Sequence, residues 1–558
     1  MRMNELIPNQ PIAVQKSRRN ARGRVLTSGD AGKILPLKYE WLHREDGVQS
    51  GKIRVNVEMQ ETAELLMNGV GVTCYAHFVP MLAFDRFNGS MDELNRSYKG
   101  ENGAAGSVVP FFQTNQYFDQ VTQSSQYFGS SDRPLVDTNT NTYWTEHSAS
   151  ARFYQTMGIH TNASDYNSTV VEAYNAIVNM RRKARSKSLP MRHELDHTLA
   201  EAFWINNGMQ SIVPDFDQSL IDGQVSLSGL TFQAPIHASV HDAEHVNKTA
   251  FPGAAHTSTS TAPHGFPVKG DSEYIWNDIW AELTQGGNAT MSLADIEQAR
   301  KTAAFAKLRS MYDGVDDEHI IDLLMSGIRV PDEALKQPIL LGRQRAMMGF
   351  NQRYATDGGN LDDSATNGYA TIDMNIRTPA MNTGGVIMIT AEIVPEQLWE
   401  RKKDYFLYTT DPDNLPNYLR DVLDPEKVAV VKNDHADVNH ATPDGTFGYA
   451  PLNHQWQKDM VNVGGKYYRP ANDVFDEDRA KIWTAEATDP SLNEDFYLVS
   501  ELHKKVFSDQ VSDSFEITAL TDFNIVGNTV FGAGLHESDA TSDYDVITEQ
   551  VDQTRIDK

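Results

Sequence analysis

The clearest pattern in this 558-residue chain is alternation of apolar and polar side chains in short runs that lie far apart. Lys52-Ile53-Arg54-Val55-Asn56-Val57-Glu58-Met59 puts every second residue on an apolar face, the period-two signature of a half-buried strand. Gly69 to Val79 is a second β-rich run, stopped by Pro80. Val386 to Val394 and Phe515 to Ile525 are rich in the β-branched and aromatic residues that suit a pleated surface. The intervening mass is therefore expected in loops and helices.

Helix signals fall between those runs. Ala173 to Arg185 has an apolar rhythm through Ile177 and Met180 and turns basic at its end. Ser292-Leu293-Ala294-Asp295 reads as a capping-box start for a helix running to Tyr312. A further helix begins at Asp316 or Asp317 and is stopped by Gly327 and Pro331. Helical insertions are thus expected over 165–205 and 290–345. Residues 101–150 and 236–271 are rich in Ser, Thr, Asn, Gly, Pro and Gln with little periodicity, and read as long surface excursions.

The composition, 40% hydrophobic and 22% charged, fits a globular protein with a sizeable core. No run of 18 apolar residues occurs, so no membrane-inserted helix is expected, and Met1 to Asn20 lacks the apolar centre of a secretory signal. Cys74 is the only cysteine, which excludes an internal disulfide; its apolar surroundings read as those of a small buried side chain.

Charge changes the picture. The net charge is −27, yet Arg2, Lys16, Arg18, Arg19, Arg22 and Arg24 face only Glu5 before residue 25, a local +5. A basic, mostly disordered arm over residues 1–29 is expected on an acidic body running from 30 to 558. Arg181-Arg182-Lys183-Ala184-Arg185 is the densest positive cluster. Phosphate contact needs only such cations. The other reading is a helix C-terminus whose cations suit its dipole and pair with acidic neighbours. The candidate nucleic-acid-binding residues are therefore Lys16, Arg18, Arg19, Arg22, Arg24, Arg181, Arg182, Lys183 and Arg185.

Catalytic chemistry is hard to find. Gly47 to Ile53 is one residue short of a phosphate-binding loop and lacks the hydroxyl after its lysine. No nucleophile elbow or dinucleotide fingerprint occurs. His241-Asp242-Ala243-Glu244-His245 spaces two imidazoles four apart, but Asp follows the first histidine and the setting is loop-like. Asp411-Pro412-Asp413-Asn414 reads as a turn. No catalytic residue, metal or cofactor is expected; the chain reads as structural, not as an enzyme.

Several segments occur in an order that matters more than any one of them. Tyr174-Asn175-Ala176-Ile177-Val178-Asn179, followed by a basic helix end, resembles the "AYN-x-I-x-N" segment of major capsid proteins of the Microviridae, small tailless single-stranded-DNA phages. Ala294 to Arg300, with Leu308, Tyr312 and the helix to Ser326, resembles that family's paired helices. Pro331-Asp332-Glu333-Ala334-Leu335-Lys336-Gln337-Pro338-Ile339-Leu340-Leu341-Gly342 is similar to its "P-D-x-R-L-Q-R-P-x-x-L-G" stretch. Ile387 to Val394 with Trp399 and Tyr405, then Phe447-Gly448-Tyr449 with Trp456, continue the series. Ala334, Lys336, Gln337 and Ala450 depart from the pattern, as do the two excursions, which marks a divergent branch.

The resemblance implies a mainly β fold: a single eight-stranded antiparallel jelly-roll barrel with long helix-containing insertions. It further implies sixty copies closing a T=1 icosahedral shell around a single-stranded DNA genome, with the basic arm over 1–29 facing inward, assembled in the host bacterial cytoplasm. Sixty arms of +5 supply about +300, far below the phosphates of even a small genome. A small basic DNA-packaging protein, polyamines or divalent ions are therefore expected, beside other virion proteins and the host cell surface as partners. The excursions are the expected outer protrusions. A β-sandwich carbohydrate-binding or carbohydrate-active protein is the alternative, because the same architecture serves both roles.

Overall fold

Where alternation is strict, one face of the strand meets solvent; where apolar residues run on unbroken, both faces are covered. That rule sorts the strands of this chain into two sheets. The computed structural model describes residues 15–62, 65–113, 149–160, 167–205, 209, 211–215, 236–241, 248–250, 275–281, 321, 325, 331–354, 364–412, 415–423, 428–456, 461–468, 481–483, 489–499 and 502–531. Its strands are β1 Ser17–Gly29, β2 Ile34–Leu42, β3 Gly47–Met59, β4 Val70–Pro80, β5 Ile236–His241, β6 Lys248–Ala250, β7 Ile275–Ala281, β8 Ile339–Met347, β9 Gly349–Tyr354, β10 Ser364–Ile376, β11 Gly385–Pro395, β12 Val428–Lys432, β13 Thr446–Pro451 and β14 Phe515–Gly527. The longer helices are α1 Met91–Lys99, α2 Ala149–Thr156 and α3 Thr169–Arg185.

The fold is mainly β and its sheets are antiparallel. One sheet has the order β1-β14-β3-β10-β9, the other β2-β11-β4-β8. They share a core in which Val55, Val57, Ile372, Ile517 and Phe523 of the first meet Val72, Cys74, Ile387 and Ile389 of the second, an arrangement compatible with a sandwich. Cys74 is fully buried there, and burial pushes its thiol up to about 12. β4 and β11 are buried along their whole length. Ile387, Ile389 and Ala391 enter the inter-sheet core, while Val386 and Met388 join a second core with Phe153 of α2 and Tyr174 and Ile177 of α3.

The helix α3 is anchored by its polar residues. The Tyr174 hydroxyl donates to the Ile34 carbonyl at 2.7 Å and accepts the Ala200 N–H at 2.9 Å. The Asn175 amide donates to the carbonyls of Glu194 and Asp196, and Asn179 brackets Arg192 through both its amide atoms. Tyr174, Asn175 and Asn179 thus hold residues 192–200 against the helix, satisfying backbone groups that burial would otherwise leave unpaired.

The chain divides into two units, Met1–Phe216 with Val330–Lys558, and Asp217–Arg329. The second contains the three-stranded sheet β6-β5-β7. This differs from one domain over 30–558, because β5, β6 and β7 pair only with one another among the described residues. His241 closes β5, a strand and not a metal-binding helix. His245 and the excursion segments 114–148, 242–247 and 251–271 lie outside the described residues, as do 290–320.

Three further expectations change. The two large sheets are not joined by strand pairing into a closed barrel among the described residues. Residues 339–345, expected as helix, belong to β8, because Ile339 and its neighbours find an open ladder on β4. The arm expected to be disordered through Gly29 is a strand from Ser17. Its backbone pairs with β14 from Ser17↔Gly527 to Gly29↔Phe515, and Ala21 and Val25 pack against the core. Among the described residues no helix is long and apolar enough to cross a membrane.

Two outcomes follow from this packing. Deleting residues 1–25 strips most of β1 from β14, so the melting temperature should fall by several degrees relative to the full chain, as calorimetry would show. Burial pushes His77, His197 and His435 from an ordinary 6.5 down to about 3. The unfolded chain takes up these protons near pH 6.5 while the folded chain resists until about pH 3, so stability is full above 6.5 and falls through that window. The loss approaches roughly three protons per unfolding event. It is partly offset by Glu40, Glu172 and Glu194, whose pKa burial raises. The urea midpoint should be lower at pH 5 than at pH 7.5; equal midpoints would contradict neutral burial of these imidazoles.

Candidate nucleic-acid interface

Strand alternation sorts the N-terminal cations onto two faces. Arg18, Arg22 and Arg24 project from the exposed face of β1, and Lys16 is exposed just before the strand. Arg19 points the other way. Its guanidinium donates to Asp46 at 3.1 Å, to Glu40 at 3.4 Å and to the Trp41 carbonyl, and lies 5.6 Å from the Phe531 ring centroid. Arg19 is therefore bound up in clamping β1 over β2, and is corrected from a phosphate-binding to a structural residue.

The exposed face continues across the sheet. β3 presents Lys52 and Arg54 outward, β14 presents Leu520 and Asp522, and β10 presents Asp373 and Asn375. Register aligns these in rows: Arg22 faces Asp522, which faces Lys52, which faces Asn375. The next row is Arg24, Leu520, Arg54 and Asp373. Arg22 Nε lies 3.1 Å from Asp522, and Arg54 Nε lies 2.6 Å from Asp373. The hydrogen bond from Arg54 holds the Asp373 carboxyl below its usual range. Arg18, Arg24 and Lys52 have no ion-pair partner among the described residues. Apart from Arg24, the residues of these rows line a shallow groove of about 720 Å³. Three cations, Arg22, Lys52 and Arg54, line it against two carboxylates, Asp373 and Asp522, and Arg18 and Arg24 stand on the adjoining exposed face of β1, a local excess of positive charge on a chain whose net charge is −27.

The second basic cluster is mostly consumed by the fold. Arg181 makes a two-pronged bond to the Glu392 carboxylate of β11, and its guanidinium lies 4.3 Å from the Tyr75 ring centroid and 4.8 Å from that of Phe203. Arg182 is buried, donating to Glu201 and to the Pro190 carbonyl at 2.8 Å each. Arg185 packs over the Tyr497 ring at 5.4 Å and is half-buried, whereas Lys183 is exposed. Arg181 and Arg182 are thereby corrected from candidate phosphate ligands to packing residues, since charges this deep are stable only when paired.

Lys52 and Arg54 are absent from the sequence-derived candidates. Their outward positions were visible in the alternation of β3, but nothing local says that β14 places them beside the cations of β1. No protein-family model matches the chain, and no curated protein matches its sequence.

Replacing Glu392 with glutamine should cost about 3 kcal/mol in urea denaturation, because it leaves the largely covered Arg181 without its counter-charge. Substituting Lys183 with glutamine, on the same helix but in solvent, should change stability by less than about 0.5 kcal/mol.

Proposed function

We propose that this chain is a structural shell protein, the major capsid protein of a small icosahedral single-stranded-DNA phage of the Microviridae type. The observation that carries the reading is the order of the long strands. β1-β14-β3-β10 and β2-β11-β4-β8 are the two halves expected of an eight-stranded jelly roll, with β9 as an addition at one edge. Successive strands pass from one sheet to the other except at the step from β4 to β8, which is also where the chain makes its longest excursion, residues 81–338. Long insertions on a rigid β scaffold suit a protein whose loops meet neighbours and host.

Assembly in the virion, with sixty copies in T=1 symmetry, follows from the resemblance and from the economy of closed symmetric association. The shell encloses its single-stranded genome with the exposed face of the β1-β14-β3-β10 sheet inward. That face carries too little charge to neutralise a genome, so a small basic packaging protein or counterions share the task. The role is structural and not catalytic.

Electron microscopy and sedimentation of the expressed protein test the reading. Uniform hollow or DNA-filled shells are the expected outcome. A compact monomer that binds or cleaves oligosaccharides would replace it with the carbohydrate-directed alternative, since that activity is also found on sandwiches of this kind.

A further inference from the structure

The exposed face of the five-stranded sheet is a trough and not a uniform basic patch. Its floor is β14, whose outward side chains Thr518, Leu520, Asp522 and Asn524 are short. Its banks are β1, with Arg18, Arg22 and Arg24, and β3, with Lys52 and Arg54, whose side chains are long and cationic. Adjacent strands are spaced by about 4.8 Å, so the banks stand about 10 Å apart. The positive charge is confined to one end: toward the other, Glu516 and Glu58 face each other across β14 and β3.

We infer that this trough binds one unpaired nucleic-acid strand laid along β14, with phosphates on the two cationic banks and bases lowered toward Leu520 and Thr518. Choosing a nucleic-acid strand over another polyanion rests on the shell reading above; the trough itself rests on the register of β1, β14 and β3 alone. The short floor favours a single strand, because a duplex keeps its bases inside and cannot lower them between the banks. Leu520 is 38% exposed and offers an apolar surface without a hydrogen-bonding edge, so contact is indifferent to base identity.

Asp522 and Asp373 act as internal competitors for the phosphates. Each is tied to a bank cation, Asp522 to Arg22 and Asp373 to Arg54, in an exposed ion pair that contributes little to stability and is readily exchanged. The trough therefore holds its strand weakly, with Arg18, Arg24 and Lys52 as the standing contacts and Arg22 and Arg54 recruited only when a phosphate displaces a carboxylate.

The test is binding of a fluorescent oligothymidylate, and of a duplex of equal length, to the full chain across a salt series. The wild type should bind the single strand more tightly than the duplex. Replacing Arg18, Arg24 and Lys52 together with glutamine should reduce the salt slope for the single strand by about 2, three contacts at roughly 0.7 each. Asp522→Asn and Asp373→Asn should tighten binding, a gain that misfolding cannot mimic. An unchanged slope in the triple variant, equal affinity for duplex and single strand, or no gain from the Asp→Asn variants would each overturn the inference. Micrographs of the same samples keep the two claims separate. Shells that form while the slope is unchanged sink the trough and leave the shell reading standing; the predicted binding without any shells does the reverse.

Discussion

Everything in the larger unit depends on the insertion of β14 between β1 and β3. β14 is the last described strand, and it pairs with one neighbour beginning at Ser17 and another beginning at Gly47. Without it, β1 would lose its ladder partner in this sheet and β3 would keep only β10. Its inward residues Phe515, Ile517, Ala519, Phe523 and Ile525 also supply much of that sheet's share of the core. The closure of so long a chain is entropically costly before any contact rewards it, which predicts late formation of this sheet during folding.

The same pairing decides what each arginine does. Arg18 and Arg19 are neighbours of one chemical type, yet one projects into solvent and the other clamps β1 to Glu40 and Asp46. Arg181 and Lys183 show the same division on a helix, with the first packed against Glu392 and the second in water. Strand and helix periodicity, not charge density, separates structural cations from those free to meet a polyanion. A run of basic residues is therefore a poor guide to an interface until the face of each residue is known.

Within the shell proposal, this division has a consequence. The inward charge is carried by a few exposed side chains on a rigid sheet rather than by a loose arm alone, and two of them are held in reserve by carboxylates. Such a surface orders a strand locally without gripping it, which suits a genome that must later leave. The bulk of neutralisation then falls to other molecules, consistent with the charge arithmetic.

The sequence by itself determined the strands at β3, β4, β11 and β14 and the helix at α3, because local periodicity reports which residues share a face, whereas the mainly β class was expected from the resemblance. It also determined that Cys74 is buried, since it lies within a largely apolar stretch from Val72 to Val79. It did not reveal β1, whose polar outward face and basic content resemble a solvated tail until β14 offers its edge. The helix expected over 339–345 failed for a related reason: a short run with Ile339, Leu340 and Leu341 suits either element, and the open ladder on β4 chose the strand. Only the tertiary structure decided that Lys52 and Arg54 stand opposite Arg22 and Arg24 across β14, and that Arg181 and Arg182 are paired with Glu392 and Glu201. Those outcomes depend on pairings between segments remote in sequence, and local pattern carries no record of which strand will lie beside which.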